Sequence, residues 1–399
     1  MSSDEKRRNG MKRPPLLALL ISLLLTACLP KFECNDPLAC VTVGSGEPIV
    51  VAVELTLSGP DASYGIDALR GVELAIADRG GKLLNHPIEL VQADDQCSPE
   101  GGDAAARELA QNPRVVGVIG ATCSGASETA AKVLTEAGMV LISPSSTAAS
   151  LTAEGTHQAG FLRTIQNDKS QAGMVAEFAY RALGVRRMAT INDGQPYSSG
   201  LTEEACAVFT ALGGKCVAGY RLESGVNPSG ALDHIRFFNP DILYYPLYTT
   251  DGVAVTRQAV EKGLGGAVLV GSEGLLTKGF LEQAGQFSEG MYISGPSVAE
   301  IDPSFIQKYE TRYGEKPIAS YSTQAYDAAM MLFSAIEKIV KTTGRDIYIQ
   351  RQNLRAALYA TRNFQGLSGT LTCSPLGDCA KPNVTIYQVR NQDFQAVYP

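Results

Sequence analysis

The sequence has no tryptophan, only three histidines and no Cys-x-x-Cys pair anywhere in its 399 residues. Zinc sites need clustered Cys and His ligands, and no histidine lies near a cysteine, so no metal is expected. Lys and Arg number 34 against 41 Asp and Glu, a net charge of −7, and no basic block occurs beyond the N-terminus. A nucleic-acid surface needs a cationic stripe, so no such partner is expected. A P-loop, an HExxH helix and a nicotinamide fingerprint are all missing; Gly44-x-Gly46 precedes a strand, the reverse of a dinucleotide motif. No cofactor is expected either.

What is present begins with an address. Lys6, Arg7, Arg8, Lys12 and Arg13 precede an apolar run, Leu16 to Leu25, too short to span a bilayer as a mature helix. The run ends in Leu25-Thr26-Ala27-Cys28. Small residues before a cysteine resemble the lipobox cleaved by lipoprotein signal peptidase. Residues 1–28 therefore read as a signal peptide, with lipidated Cys28 as the mature N-terminus and the protein held outside the cytoplasm on the cell membrane. Met11 is an alternative start, since Met11 to Cys28 makes a complete signal. Eight further cysteines form an even set, as disulfides in an exported protein require. Cys34 with Cys40, Cys206 with Cys216 and Cys373 with Cys379 are close pairs, which leaves Cys97 with Cys123. Residues 29–47, rich in Pro, Gly, Ser and Asn without apolar periodicity, read as a tether.

From Ile49 the chain alternates strand and helix. Strands are expected at Ile49–Leu55, Ile88–Gln92, Val115–Ile119 and Met139–Ile142, then again at Arg187–Ile191, Cys216–Tyr220, Ile242–Tyr245, Val268–Val270 and Met291–Ser294. Helical spacing falls between them, and the later chain is mainly helical. Nearly continuous apolar strands imply parallel sheets covered on both faces, and two series imply two doubly wound α/β lobes. A ligand then belongs beyond the carboxyl ends of the strands, in the cleft between lobes.

The residues at those ends form a consistent set. The first lobe offers Ala121-Thr122-Cys123-Ser124 at a helix start and Ser143-Pro144-Ser145-Ser146-Thr147. Hydroxyls and backbone N–H groups at a helix N-terminus suit an anion. The second lobe offers Asn192 through Tyr197, Pro246-Leu247-Tyr248 and Gly271-Ser272-Glu273-Gly274, two tyrosines and a carboxylate suited to an ammonium. Singly, such hydroxyls are usually caps and such tyrosines usually packing. Facing one another, they describe a receptor for a zwitterion.

At these residues the chain resembles the type I periplasmic binding proteins, most closely the leucine/isoleucine/valine-binding branch. The similarity runs from about Ile49 to about Val389. It is carried by Leu57-Ser58-Gly59-Pro60, Tyr64-Gly65, Arg70-Gly71, Asp94-Asp95-Gln96-Cys97, Cys123-Ser124, Ile142-Ser143-Pro144, Asp193 through Tyr197, Tyr244-Tyr245 and Gly271 through Gly274. The resemblance implies that Ser124 and Thr147 hold a ligand carboxylate, and that the backbone at Ser145 and the Glu273 side chain hold its ammonium. Tyr197 and Tyr248 would close over the ligand, and Tyr64 would line the side-chain pocket beside Cys97 and Cys123. Ser145-Ser146 and Pro246-Leu247 depart from the small apolar residues and glycines usual there, which leaves the ligand side chain open. The expected division is 48–166 and 295–372 for lobe 1, and 167–294 and 373–399 for lobe 2, joined by crossover strands.

The implied function is a monomeric, non-enzymatic receptor that presents an amino acid, branched-chain or related, to the membrane subunits of an ABC permease. An amide, urea derivative or aromatic acid is the alternative ligand. An enzyme of similar fold is the contrasting class. Ser124, His157 and Asp168 could be imagined as a triad, but Ser124 lacks a nucleophile elbow and His157 sits in a polar loop. Asp94-Asp95 reads as capping and lobe-edge hydrogen bonding rather than acid–base chemistry. The lipobox reading is tested by Cys28→Ala, which should leave uncleaved precursor without diacylglycerol. Normal processing and lipidation of that variant, followed by mass spectrometry, would overturn it.

Overall fold

The computed structural model describes residues 32–297 and 301–399, so Cys28 and the rest of the N-terminal address lie outside the described residues. Numbered in chain order, the first eight strands are β1 (Cys40–Val43), β2 (Ile49–Leu55), β3 (Lys82–Leu83), β4 (His86–Asp94), β5 (Val115–Gly120), β6 (Leu141–Ser143), β7 (Phe161–Arg163) and β8 (Arg187–Asn192). They are followed by β9 (Lys215–Arg221), β10 (Ile242–Tyr244), β11 (Val268–Gly271), β12 (Tyr292–Pro296), β13 (Lys341–Thr343) and β14 (Asp346–Gln350). The last four are β15 (Phe364–Gly366), β16 (Gly369–Leu371), β17 (Val384–Arg390) and β18 (Asp393–Tyr398). One large sheet has the order β3-β4-β2-β5-β6-β7 and the other β18-β17-β12-β11-β10-β8-β9.

The same parallel arrangement occurs twice. In β4-β2-β5-β6-β7 and in β9-β8-β10-β11-β12, the second strand of the series lies outside the first and the next three continue on its other side. Each order reverses once, beside β2 in one lobe and β8 in the other, and the crevice at such a reversal is where α/β sheets admit ligands. The sheets are mixed rather than purely parallel, because β3 pairs antiparallel with β4, and β17 and β18 add an antiparallel pair beyond β12.

Burial on both faces explains why β2 reads as an unbroken apolar run. Ile49, Val51, Val53 and Leu55 pack in one core with Ala325, Ala328 and Leu332 of helix Ser322–Ile339. Val50 and Ala52 pack in another with helices Pro99–Ala110 and Ser124–Glu136. The second lobe has its own pair of cores, one on each face of its sheet.

Two sequence expectations change. Residues 29–47 are not a tether throughout: β1 pairs antiparallel with β14, and Val41 and Val43 are buried in the first lobe's core. The alternation Val41-Thr42-Val43 was too short to stand out from its polar surroundings. Likewise 373–399 is not a single second-lobe piece. Cys373 and Cys379 pack in the first lobe's core, and the loop they close bonds to β7, so the chain crosses over only between Cys379 and β17. All four cysteine pairs are bonded as expected.

Glu54 is the exception in β2. It is fully buried, and neither carboxylate oxygen has a hydrogen-bond partner. Burial, reinforced by the negative charge of Asp95, holds its pKa well above the usual 4.5. The native state therefore keeps a proton that the unfolded chain releases, and stability contributed at this position falls as pH rises above about 4.5. Glu54→Gln removes that penalty. Its unfolding free energy should gain on wild type by up to about 1.4 kcal/mol per pH unit through the mildly acidic range. Parallel curves in urea titrations at pH 5, 6 and 7 would contradict this.

Candidate functional site

The loops beyond the strand ends of the two lobes meet face to face. In the first lobe, Asp95 organises the ends of β2, β4 and β5. Its carboxylate accepts the Thr122 N–H at 2.7 Å, the Cys97 N–H at 2.9 Å and the Thr56 hydroxyl. Asp94 takes the Leu57 and Gln96 N–H groups. Both acids therefore do the bracing work expected of them. The Cys97–Cys123 disulfide, with Cα atoms 5.0 Å apart, ties the same loops directly before helix Ser124–Glu136.

Arg163, wholly buried at the end of β7, clamps the next loop. Its guanidinium donates to the carbonyls of Ser146 at 3.2 Å and Ala148 at 2.9 Å, and to Asp378 at 2.5 Å. The residue between those two carbonyls is Thr147. The Ala148 N–H in turn donates to the Ser124 hydroxyl at 3.1 Å, so the clamp also fixes Ser124. Ser145 donates its hydroxyl to the Thr122 carbonyl at 2.8 Å. Asp67 does for Tyr321 what Arg163 does for Thr147. It accepts the N–H groups of Ile318, Tyr321 and Ser322 and the Tyr309 hydroxyl, and burial pushes its pKa up to about 6.

In the second lobe, Glu273 follows β11 on a short turn and is only 2% exposed. It accepts a hydrogen bond from the Thr147 hydroxyl of the opposite lobe at 3.1 Å and another from Gln171. Gln171 also donates to Ser294 at 3.2 Å, and Ser294, Ser272 and the Tyr244 hydroxyl continue the chain of hydrogen bonds. Tyr197 accepts the Gly274 N–H at 3.1 Å and stacks on Tyr248, their ring centroids 5.0 Å apart. Tyr64 enters from the first lobe, contacts Tyr248 and Tyr321, donates to the Gly274 carbonyl and shares a hydrogen bond with Thr249 at 2.8 Å. A Cβ at Gly274 would sit 2.8 Å from the Leu247 carbonyl, and one at Gly125 2.7 Å from Gln195 of the facing lobe. The first of these is a close approach within the second lobe, and the second is where the lobes themselves meet at glycine.

The electrostatics of the closed cleft are one-sided. Asp168, 1% exposed, lies beside Glu273 with both carboxylate oxygens buried and no well-formed hydrogen bond to either, Thr147 being the neighbouring hydroxyl. Burial first, and then the charge of Glu273, holds its pKa well above the usual range, with Thr147 and Arg163 opposing. Burial also raises Glu273, against the hydrogen bonds of Gln171, Thr147 and Tyr197. No Lys, Arg or His among the described residues forms an ion pair with either acid. Tyr64, Tyr197, Tyr248 and Tyr321 are all held protonated by burial, so each offers a ring and a hydroxyl. Across from the acids lies the N-terminus of the 13-residue helix Ser124–Glu136, whose Ser124 N–H meets the Tyr248 hydroxyl. A cationic group is suited to one end of this cleft and an anionic group to the other.

Six of the seven residues singled out in the sequence, namely Tyr64, Ser124, Thr147, Tyr197, Tyr248 and Glu273, lie in this contact network, and Ser145 sits beside it on the Thr122 loop. Asp168, Gln171, Tyr321 and Asp61 were missed as parts of the site. A triad of Ser124, His157 and Asp168 is not assembled, because the His157 ring is taken by the Tyr359 hydroxyl at 2.9 Å and the Phe161 carbonyl. The signal that could have found Asp168 and Gln171 is their position at the start of the first helix after a crossover.

This fold and cleft are those of a two-lobed solute receptor, and the chain belongs to the periplasmic binding protein family, whose model matches residues 48–393. A Leu/Ile/Val-binding protein homolog from Brucella melitensis is 24% identical over 85% of this chain and 91% of its own. A leucine-, isoleucine-, valine-, threonine- and alanine-binding protein from Pseudomonas aeruginosa is 26% identical over 86% and 90%. The crystal structure of a leucine binding protein from Thermotoga maritima covers 88% of this chain and 97% of its own, at 27% identity and a TM-score of 0.78. Among the described residues, no helix is long and apolar enough to cross a membrane.

The clamp has a measurable weight. Arg163→Ala removes the ion pair to Asp378, which keeps Thr152 and Asn167, and leaves the buried Ser146 carbonyl without its donor, and should cost about 2–3 kcal/mol of stability. Chemical denaturation with intact cooperativity is the check; a loss under about 1 kcal/mol would show that the loop does not depend on this side chain.

Proposed function

We propose that this protein is the solute-binding subunit of an ABC importer, tethered through Cys28 outside the cytoplasm, and that its solute is an α-amino acid held in the interlobe cleft. The observation that carries this reading is the buried pair Asp168 and Glu273, neither in an ion pair among the described residues, with Glu273 bonded to Thr147 of the loop whose Ala148 N–H holds Ser124 at a helix N-terminus. An ammonium placed between the acids relieves their repulsion, while a carboxylate at Ser124 and Thr147 meets N–H groups and hydroxyls. In this role Tyr197, Tyr248 and Tyr64 enclose the solute and the Ser145 carbonyl serves the ammonium. No bond is made or broken. Binding shifts the balance between open and closed lobes, and the closed form is what the permease meets.

The ligand is found by a thermal-shift screen of amino acids and amides on ligand-stripped protein; a thousandfold excess over Kd should add about 4 kcal/mol of stability. Glu273→Gln keeps the shape and removes the charge. With the ligand so found, its affinity should fall by roughly two to four powers of ten, the cost of breaking a desolvated ion pair. Equal affinities by calorimetry would mean that no ammonium lies there, and the amino-acid reading would fall.

A further inference from the structure

Asp61 occupies the N-cap position of helix Ala62–Asp78, yet its side chain makes no capping bond to that helix. Aspartate at this position normally accepts an N–H of its own first turn. Here the carboxylate points across the cleft instead and accepts the backbone N–H of Thr249 at 3.1 Å. Thr249 is the first residue of helix Thr249–Glu261 in the second lobe, and the N-cap residue of that helix, Tyr248, supplies no capping bond. The acid in that helix's first turn, Asp251, is engaged by Ser224 and Gly225. One lobe thus carries a capping residue that does not cap its own helix, and the other a helix without a cap of its own. The donor and acceptor are both buried, with Asp61 9% and Thr249 1% exposed.

We infer that Asp61 is a positioning residue for solute binding, which caps helix Thr249–Glu261 in trans and does so only when the lobes are closed. The bond joins residues 188 positions apart in two different lobes, so separating the lobes must break it. Opening returns the Thr249 N–H to water and removes a negative charge from the positive end of a 13-residue helix. The Tyr64 hydroxyl, three residues along, holds the Thr249 hydroxyl and the Gly274 carbonyl, so the capped terminus and the Glu273 turn are seated together. Tyr248, which ends the loop before the capped helix, is thereby set at the height where it meets Tyr197 and the Ser124 N–H. Asp61 acts through these groups and needs no contact with the solute. Its contribution is a shift of the open–closed balance that is the same for every solute that requires closure.

The inference rests on the receptor reading given above, and the test separates the two. Asp61→Ala and Asp61→Asn are compared with wild type in two measurements, amide hydrogen exchange at Thr249 with the cleft saturated by a solute that the thermal-shift screen identifies and calorimetry with each amino acid that wild type binds. Removal of a capping side chain predicts weakening by roughly three- to thirtyfold in Asp61→Ala, by one common factor for all ligands and mainly through faster dissociation. Asp61→Asn keeps an acceptor oxygen and should recover most of the loss. The Thr249 amide should exchange faster in Asp61→Ala than in wild type. Unchanged exchange at Thr249 would overturn the cap whatever the ligand proves to be. A loss confined to ligands with basic side chains would assign Asp61 to direct contact and also overturn it. If no amino acid binds wild type but the exchange difference is found, the cap stands and the amino-acid reading falls.

Discussion

Two buried carboxylates, Asp168 and Glu273, lie side by side where the lobes meet, and much of the surrounding architecture is an answer to that arrangement. Asp168 and Glu273 are withdrawn from water as the lobes meet, and isolated buried charges are costly. Gln171, Thr147 and Tyr197 direct donors at Glu273, while the Arg163 guanidinium lies close enough to moderate Asp168. None of these neutralises both acids. The pKa of each acid is raised in consequence, and closure that excludes water strengthens any attraction made to them.

The fold delivers these groups with little local invention. Each lobe repeats one strand order, and each places its site loops beyond the carboxyl ends next to the point of reversal. Positioning then falls to single buried side chains that bind loops rather than cores. Arg163 holds the carbonyls on either side of Thr147, Asp67 seats Tyr321, and Asp95 gathers Thr56, Cys97 and Thr122. Asp67 and Asp95 bond mainly to backbone N–H groups and Arg163 to two backbone carbonyls and two side chains, a geometry that defines a loop without demanding that its side chains pack.

Closure draws on contacts made between the lobes themselves as well as on any solute. Tyr64 to Gly274, Asp61 to Thr249 and Thr147 to Glu273 all span the cleft, and Gly125 lets the surfaces approach at Gln195. Individually such bonds contribute on the order of 1 kcal/mol, enough together to tune an equilibrium but not to replace a ligand. This division suits a receptor that must both close on its cargo and reopen.

The sequence alone determined the two-lobed α/β plan, because β2, β5, β10 and β11 are mostly apolar runs whose meaning is local: strands buried on both faces favour such a composition. The even cysteine count and its close spacings gave all four pairs, and the residues following the strands pointed to Glu273, Tyr197 and Thr147, since strand ends are visible in sequence and ligands gather there. What only tertiary structure decided are the relations between distant segments. Val41 and Val43 gain their place from β14 some three hundred residues later, and the Cys373–Cys379 loop gains its lobe from Arg163 of β7. Asp168 faces Glu273, and Asp61 caps a helix other than its own, only because the chain crosses between lobes and returns. A sequence reports what a residue is and what lies within a few turns of it; the field around a buried carboxylate is set by groups brought from elsewhere.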